Sequence, residues 1–159
     1  MNVKIQLLHK DAKIPQKATA FAGGWDVTCT EIIHESDDYV RCKLGFALQP
    51  PPNYRIMCHA RSSITKTKWF LCNGVGLGDA DYLNEYELRF RCLPDTYVSL
   101  KANGTVTRFY CKYEDFPYKV GDRVGQIYLE EVIPIEFEEV TELKPLSERK
   151  GGFGSTGLN

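Results

Sequence analysis

Apolar residues in this chain alternate with polar ones over short runs, and each run stops at a turn. Val3, Ile5 and Leu7 alternate with Lys4 and Gln6; Tyr86, Leu88 and Phe90 alternate with Glu87, Arg89 and Arg91. A period of two puts one set of side chains on one face of an extended strand. No stretch sustains the repeat of an amphipathic helix. The interruptions are Gly23-Gly24, Pro50-Pro51-Pro52-Asn53, Asn73-Gly74 and Asn103-Gly104. Proline has no N–H and a fixed φ, so the triple forbids helix and makes a rigid turn. Asn-Gly between alternating runs is the strongest short-range hairpin signal. Many short strands with frequent turns predict an all-β barrel or double-sheet architecture.

In chain order, Lys10 to Ala20, with Pro15, reads as an irregular connection. Ala22 to Thr30 is a Gly-Gly turn running into a strand. Glu31 to Asp38 reads as an acidic surface loop. Tyr39 to Leu48 and Tyr54 to His59 are extended on either side of the prolines. Arg61 to Lys68 is the best position for the one short helix, with Ser62 or Ser63 as its cap. Thr96 to Tyr113 holds two strand-like runs around Asn103-Gly104, and Val124 to Val140 is further extended chain with acidic faces.

At 159 residues, one domain with a sizeable core is the expectation. A formal charge of −1 supplies no basic field for duplex nucleic acid. No apolar run approaches membrane-spanning length, and the N-terminus lacks the apolar core of a signal peptide. The expected setting is cytoplasmic or nuclear, within the host cell for a viral protein. The six cysteines, Cys29, Cys42, Cys58, Cys72, Cys92 and Cys111, form no CxxC pair. Structural zinc needs clustered ligands, so reduced and mostly buried thiols are expected.

Five segments carry chemistry-bearing residues. Gly23-Gly24-Trp25-Asp26 presents a carboxylate at a turn. Arg61-Ser62-Ser63 sets a cation and two hydroxyls at a helix start, which suits a phosphate and equally suits a simple cap. Asn73 to Glu87 joins glycines to two carboxylates, Asp79 and Asp81, followed by Tyr82. Glycines let a backbone approach a ligand closely, and carboxylates activate water or hold cations; a solvated Asn-Gly hairpin has the same composition. Gly121 to Gln126 reads either as part of a site or as a β-turn with an internal Asp/Arg pair. Arg149 to Gly157 sets Phe153 among glycines, with cations before it and hydroxyls after it. Such a tail is either plain linker or a lid that orders over an aromatic, phosphorylated ligand.

Together and in this order, GGWDV, ARSSI, NGVGLGDADYLNE, GDRVGQI and RKGGFGSTG resemble the five ordered motifs of the trimeric deoxyuridine triphosphatase (dUTPase) family. The match runs from about Ala20 to the C-terminus. The resemblance implies an all-β distorted barrel or jelly roll of the β-clip type, with one short helix after the second motif. It also implies a homotrimer with C-terminal arm exchange and active sites at subunit interfaces. Residues 1–148 are then the β domain and 149–159 a flexible lid. A β-hairpin insertion at about 96–113 would cover the trimer surface or engage a protein partner.

The implied activity is cleavage of dUTP to dUMP and pyrophosphate with Mg²⁺, which limits uracil entry into DNA and supplies dUMP. By position, Asp79 is the general base for the attacking water. Tyr82 packs under the deoxyribose. Asn73 and the backbone around Gly76, Leu77, Gly78 and Glu87 read the uracil edge. Arg61, Ser62, Ser63 and Gln126 contact the phosphates, and Asp26 holds the metal through water. Phe153, with Gly154 beside it, stacks on uracil, while Arg149, Ser155 and Thr156 close on the outer phosphates. The chain departs from the usual pattern at Gly78 (isoleucine or valine), at Asn84 (glycine), at Gly125 (alanine) and in a tail one residue shorter after Arg149. The sister dCTP deaminase family, including bifunctional deaminases, shares the fold; a regulatory protein-binding scaffold is the non-enzymatic alternative.

Overall fold

A computed structural model describes residues 1–100, 106–112 and 114–148, with only the backbone described for 96–100 and 106–112. Among the described residues, twelve strands and one short 3₁₀ helix run in the order β1 Lys4–Leu7, β2 Trp25–Thr28, β3 Glu31–Ser36, β4 Tyr39–Lys43, β5 Phe46–Gln49 and β6 Tyr54–Ala60. The 3₁₀ helix Ser62–Lys66 follows, then β7 Trp69–Leu71, β8 Gly76–Gly78, β9 Glu87–Cys92, β10 Asp95–Leu100, β11 Val106–Lys112 and β12 Arg123–Glu131. The strands form two four-stranded sheets, β2-β12-β6-β8 and β3-β4-β9-β7, and two ribbons, β1-β5 and β10-β11. Every pairing is antiparallel. Among the described residues the chain is therefore all-β.

The period-two runs account for the core. Val27, Ile56, Cys58, Val124 and Ile127 come from the first sheet, and Val40, Cys42, Leu71, Leu88 and Phe90 from the second. Phe46 and Leu48 come from the β1-β5 ribbon. Phe46 and Phe90 are fully buried, which stabilises the fold by roughly 1.5–3 kcal/mol for each ring. Gly45 breaks Tyr39–Leu48 into two strands. Its φ of 71° and the closeness of Thr30 to any added Cβ demand glycine there.

Three expectations fail. Glu31 to Asp38 is not a loop: Glu31–Ser36 is β3, the outer strand of its sheet, paired with β4. Its outer residues stay wet, so acidic side chains sit there without breaking the ladder. The extended run Val124–Val140 is a strand only to Glu131, and residues 132–148 find no partner strand among the described residues. The helix after Arg61 is shorter than expected and lacks a side-chain cap. Thr65 and Thr67 donate instead to the carbonyls of Ser62 and Ile64. Cys29, Cys42, Cys58 and Cys92 are buried unpaired thiols and Cys72 is an exposed one; the Cys111 side chain lies outside the described residues. No helix among the described residues is long and apolar enough to cross a membrane.

Candidate active site

The β7–β8 turn and the segment after β8 enclose a cleft of about 540 Å³. Asn73, Gly76, Leu77, Gly78, Asp79, Tyr82 and Glu87 all line it. β8 lies at the edge of its sheet: β6 covers one side and, among the described residues, no strand covers the other. An edge strand carries unpaired backbone N–H and C=O groups. The turn that precedes it is set by Gly74, with φ 65°, whose N–H donates to the Leu71 carbonyl at 3.0 Å.

After β8 the chain turns sharply, and the Tyr82 N–H donates to the Asp79 carbonyl at 3.1 Å. This turn holds the Asp79 carboxylate at the lip of the cleft, exposed and without an ion pair or side-chain hydrogen bond among the described residues. Asp81 lines a neighbouring hollow with Lys4, Tyr54 and Arg55 and does not line the cleft. Tyr82 donates to the Glu85 carbonyl at 3.2 Å and packs edge-to-face on Tyr86, with centroids 5.4 Å apart. Glu87 is held by Arg41, whose Nη2 lies 2.8 Å from Oε2, and by Arg89, whose Nε lies 2.6 Å from Oε1. Burial opposes ionisation of Glu87, but these guanidinium hydrogen bonds prevail and keep its carboxyl below the ordinary glutamate value.

Gly78 departs from the family pattern, and the structure explains it. A Cβ at this position would stand 2.8 Å from Cε1 and Cζ of Tyr86, so the Tyr86 ring fills the space that a larger residue 78 would occupy. Gly125 repeats the device. A Cβ there would stand 2.7 Å from the His59 carbonyl and against the Leu88 side chain.

A second cluster forms where β2, β12 and the end of β6 meet. Asp26 is 6% exposed and lies opposite Gln126 in the ladder. Gln126 Nε2 donates to Oδ1 at 3.0 Å, Arg123 Nη1 donates to Oδ2 at 2.7 Å, and Arg61 Nε stands 3.7 Å from Oδ1. Arg61, Ser62 and Ser63 follow β6 directly, and Ser63 Oγ shares a 3.3 Å hydrogen bond with Tyr118 Oη. Arg123 was not foreseen as a partner of Asp26. The alternative reading, an internal pair with Asp122, does not hold: Arg123 pairs with Asp26, and Asp122 accepts the Lys119 N–H at 2.9 Å. The adjacent cations Arg61 and Arg123 suit an anion beside them.

Asp26 is the one carboxylate of this cluster, and both of its oxygens are engaged. Among the described residues no three His, Cys, Asp or Glu side chains converge on a metal position. The cluster therefore offers no all-protein cage. Any cation held here would keep its waters and meet Asp26 only through them. Arg149, Phe153, Gly154, Ser155 and Thr156 lie outside the described residues.

No family model matches the chain. A deoxyuridine 5'-triphosphate nucleotidohydrolase of Zymomonas mobilis is 32% identical over 164 residues, covering 99% of this chain and 100% of that one. The enzyme of that name from Helicobacter pylori is 28% identical over 161 residues, at 100% and 99% coverage. In fold, the chain is similar to the Staphylococcus bacteriophage 80alpha dUTPase with dUpNHpp, with TM-score 0.76, 22% identity and 99% coverage of both chains. A further match is the dUTPase of Staphylococcus aureus phage phi11, whose D95N mutant coordinates a structural Mg(II) ion; its TM-score is 0.67 at 18% identity, over 89% of this chain and 98% of that one. With the full-length likeness to the Zymomonas enzyme, an all-β frame and a cleft lined by the third motif, this chain belongs to the deoxyuridine 5'-triphosphate nucleotidohydrolase family.

Proposed function

We propose that this protein hydrolyses dUTP to dUMP and pyrophosphate. The observation that carries the reading is the uncovered edge of β8 lining the cleft, with Asp79 at its lip. A uracil ring presents acceptor, donor and acceptor along one edge, the same alternation that a strand edge offers. The glycines at both ends of β8 let the ring come close to the backbone. Tyr82 lies under the sugar, where its ring leaves no room for a 2′-hydroxyl.

Asp79 accepts a proton from a water, whose oxygen attacks the α-phosphorus in line. The bond from that phosphorus to the oxygen bridging the β-phosphate breaks, and pyrophosphate leaves. Arg61, Ser62, Ser63 and Gln126 hold the phosphates, and Arg149, Ser155 and Thr156 close over their outer end with Phe153 on the base. A bound Mg²⁺ would neutralise triphosphate charge, met by Asp26 through water. Asp26 also aims Arg61, Arg123 and Gln126.

The ladder supports a site shared between copies. Gly78 pairs with Ile56 and Gly76 with Cys58, so Asp79 lies beside Arg55. Arg61 is six residues further on, about 20 Å along an extended chain. A base must stand within hydrogen-bond reach of the attacking water at the α-phosphate. One protomer therefore does not bring Asp79 and its own Arg61 to one substrate, and the complete site takes Asp79 from one copy and Arg61 from another, in a homotrimer.

The test is a hydrolysis panel of dUTP, dCTP, dTTP and UTP with and without Mg²⁺. Pyrophosphate from dUTP alone is expected, and ammonia from dCTP would assign the deaminase chemistry instead. Asp79→Asn is expected to abolish turnover, by at least about a thousandfold, and to leave dUTP binding in place. Retained turnover in that variant would remove Asp79 from its role.

A further inference from the structure

Excluding a 2′-hydroxyl takes a wall that stays in place, and Tyr82 stands where a ring could give way. It is 40% exposed and lies in the segment that joins β8 to β9. What fixes it comes from that same segment. The Tyr82 hydroxyl donates to the Glu85 carbonyl at 3.2 Å, and its ring meets Tyr86 edge-to-face, with centroids 5.4 Å apart. A phenol tethered at its far end is held in one rotamer.

The Glu85 carbonyl is fixed in turn by its own side chain. Glu85 Oε1 accepts the Gly45 N–H at 3.0 Å, and Oε2 stands 2.9 Å from Lys43 Nζ. Gly45 is a rigid anchor: it joins β4 to β5 at φ 71°, closely packed by Thr30, His9 and Ala12. The next residue is clamped to the same junction. The Tyr86 N–H donates to Phe46 O at 2.9 Å, and the Tyr86 carbonyl accepts the Leu44 N–H at 3.0 Å. Glu85 thus carries the stiffness of the β4-β5 junction to the Tyr82 hydroxyl. It does not itself line the cleft.

We propose that Glu85 is a positioning residue for sugar selectivity: by holding the Tyr82 ring in place, it sets how strongly deoxyribose is preferred over ribose. The inference rests on the reading of the cleft as a nucleoside site with Tyr82 under the sugar.

The experiment measures kcat/KM for dUTP and UTP, and dissociation constants of dUMP and UMP, in the wild type, Glu85→Ala, Glu85→Gln and Tyr82→Phe. Glu85→Ala is expected to lower the preference for the deoxynucleotide about five- to tenfold, the worth of one hydrogen bond. The change comes from a gain on UTP and UMP, because a loosened ring gives way to the 2′-hydroxyl. Glu85→Gln still accepts the Gly45 N–H and keeps the preference within about twofold. Tyr82→Phe cuts the same link, so adding Glu85→Ala to it lowers the preference no further. A lower melting temperature with an unchanged preference in Glu85→Ala would overturn the inference and leave Glu85 a packing residue. So would a preference lost only through weaker dUTP and dUMP, or additive effects of the two substitutions. A wild type that binds dUMP over UMP but releases no pyrophosphate from dUTP would overturn the activity proposed above. The binding ratios of the variants would then decide the role of Glu85 alone.

Discussion

Adding a side chain at residue 78 would drive it into the Tyr86 ring, against Cε1 and Cζ. Gly78→Val is therefore expected to destabilise the protein by about 1–3 kcal/mol, as overpacked cores do. Shrinking the partner in the same chain, Gly78→Val with Tyr86→Val, restores part of that loss. Denaturant unfolding of the two single variants and the double one measures the coupling, and strict additivity would show that the two positions do not share space. Glu87 makes a pH prediction. Its folded carboxyl titrates below the ordinary glutamate value because Arg41 and Arg89 hold it ionised. Its contribution is present above the unfolded value, 4.5, and is lost as pH falls through the lower folded one. Unfolding free energy should drop on acidification below about pH 4.5, and Glu87→Gln should flatten that limb while costing about 2 kcal/mol at pH 7. A variant with an unchanged acid limb would separate Glu87 from this behaviour.

At the scale of elements, the β10-β11 ribbon pairs, among the described residues, with nothing but itself. Its described side-chain anchor to the body is the Asp95 ion pair with Lys68, a half-exposed contact worth at most about 1 kcal/mol. Replacing residues 96–111 with a short Gly-Ser linker should leave dUTP turnover within about twofold and the melting temperature nearly unchanged. A partner protein captured by the intact chain and lost by this variant would give the ribbon its role. What was legible here follows from where the water is. Strands with one dry face, such as β9 with Leu88 and Phe90 turned inward, show their alternation plainly. β3 was misread because an outer strand tolerates Glu31, His34 and Glu35 on a wet surface, and composition alone then looks like loop. Arg123 was missed for a different reason: its partner Asp26 is 97 residues away, and only the β2-β12 register brings them together. The third-motif cleft was legible because its glycines and carboxylates lie in one continuous stretch.

For the whole molecule, the segment after β12 is the feature one chain leaves unsatisfied. Ile133, Ile135 and Phe137 alternate with Pro134, Glu136 and Glu138, and the three apolar residues are 77%, 69% and 93% exposed. Alternation of this kind is a strand's signature whether its partner belongs to the same chain or to another, which is why the sequence reads as extended to Val140 while the ladder stops at Glu131. In an isolated chain Phe137→Asp would be a surface change, within about 0.5 kcal/mol of neutral. In an arm-exchanged trimer it would disrupt assembly. Mixing Asp79→Asn chains with Arg61→Ala chains should then regenerate turnover, because some sites draw their intact Asp79 and Arg61 from different copies. Adding Phe137→Asp to both should remove that recovery. Absence of recovery from well-mixed, refolded chains without the arm substitution would place Asp79 and Arg61 of one copy in one site.

The uncovered side of β8 has a cost that lies outside catalysis. Unpaired backbone groups at a sheet edge invite any extended chain to add itself, and proteins usually blunt such edges with a charge, a proline or a covering loop. On the function proposed above, none of these is open to an edge that receives a base. Shortness does the work instead: three residues, two of them glycine, make too small and too weak a template for a foreign strand to hold. Occupancy by a nucleotide completes the protection, so resistance to aggregation should rise with ligand as well as thermal stability.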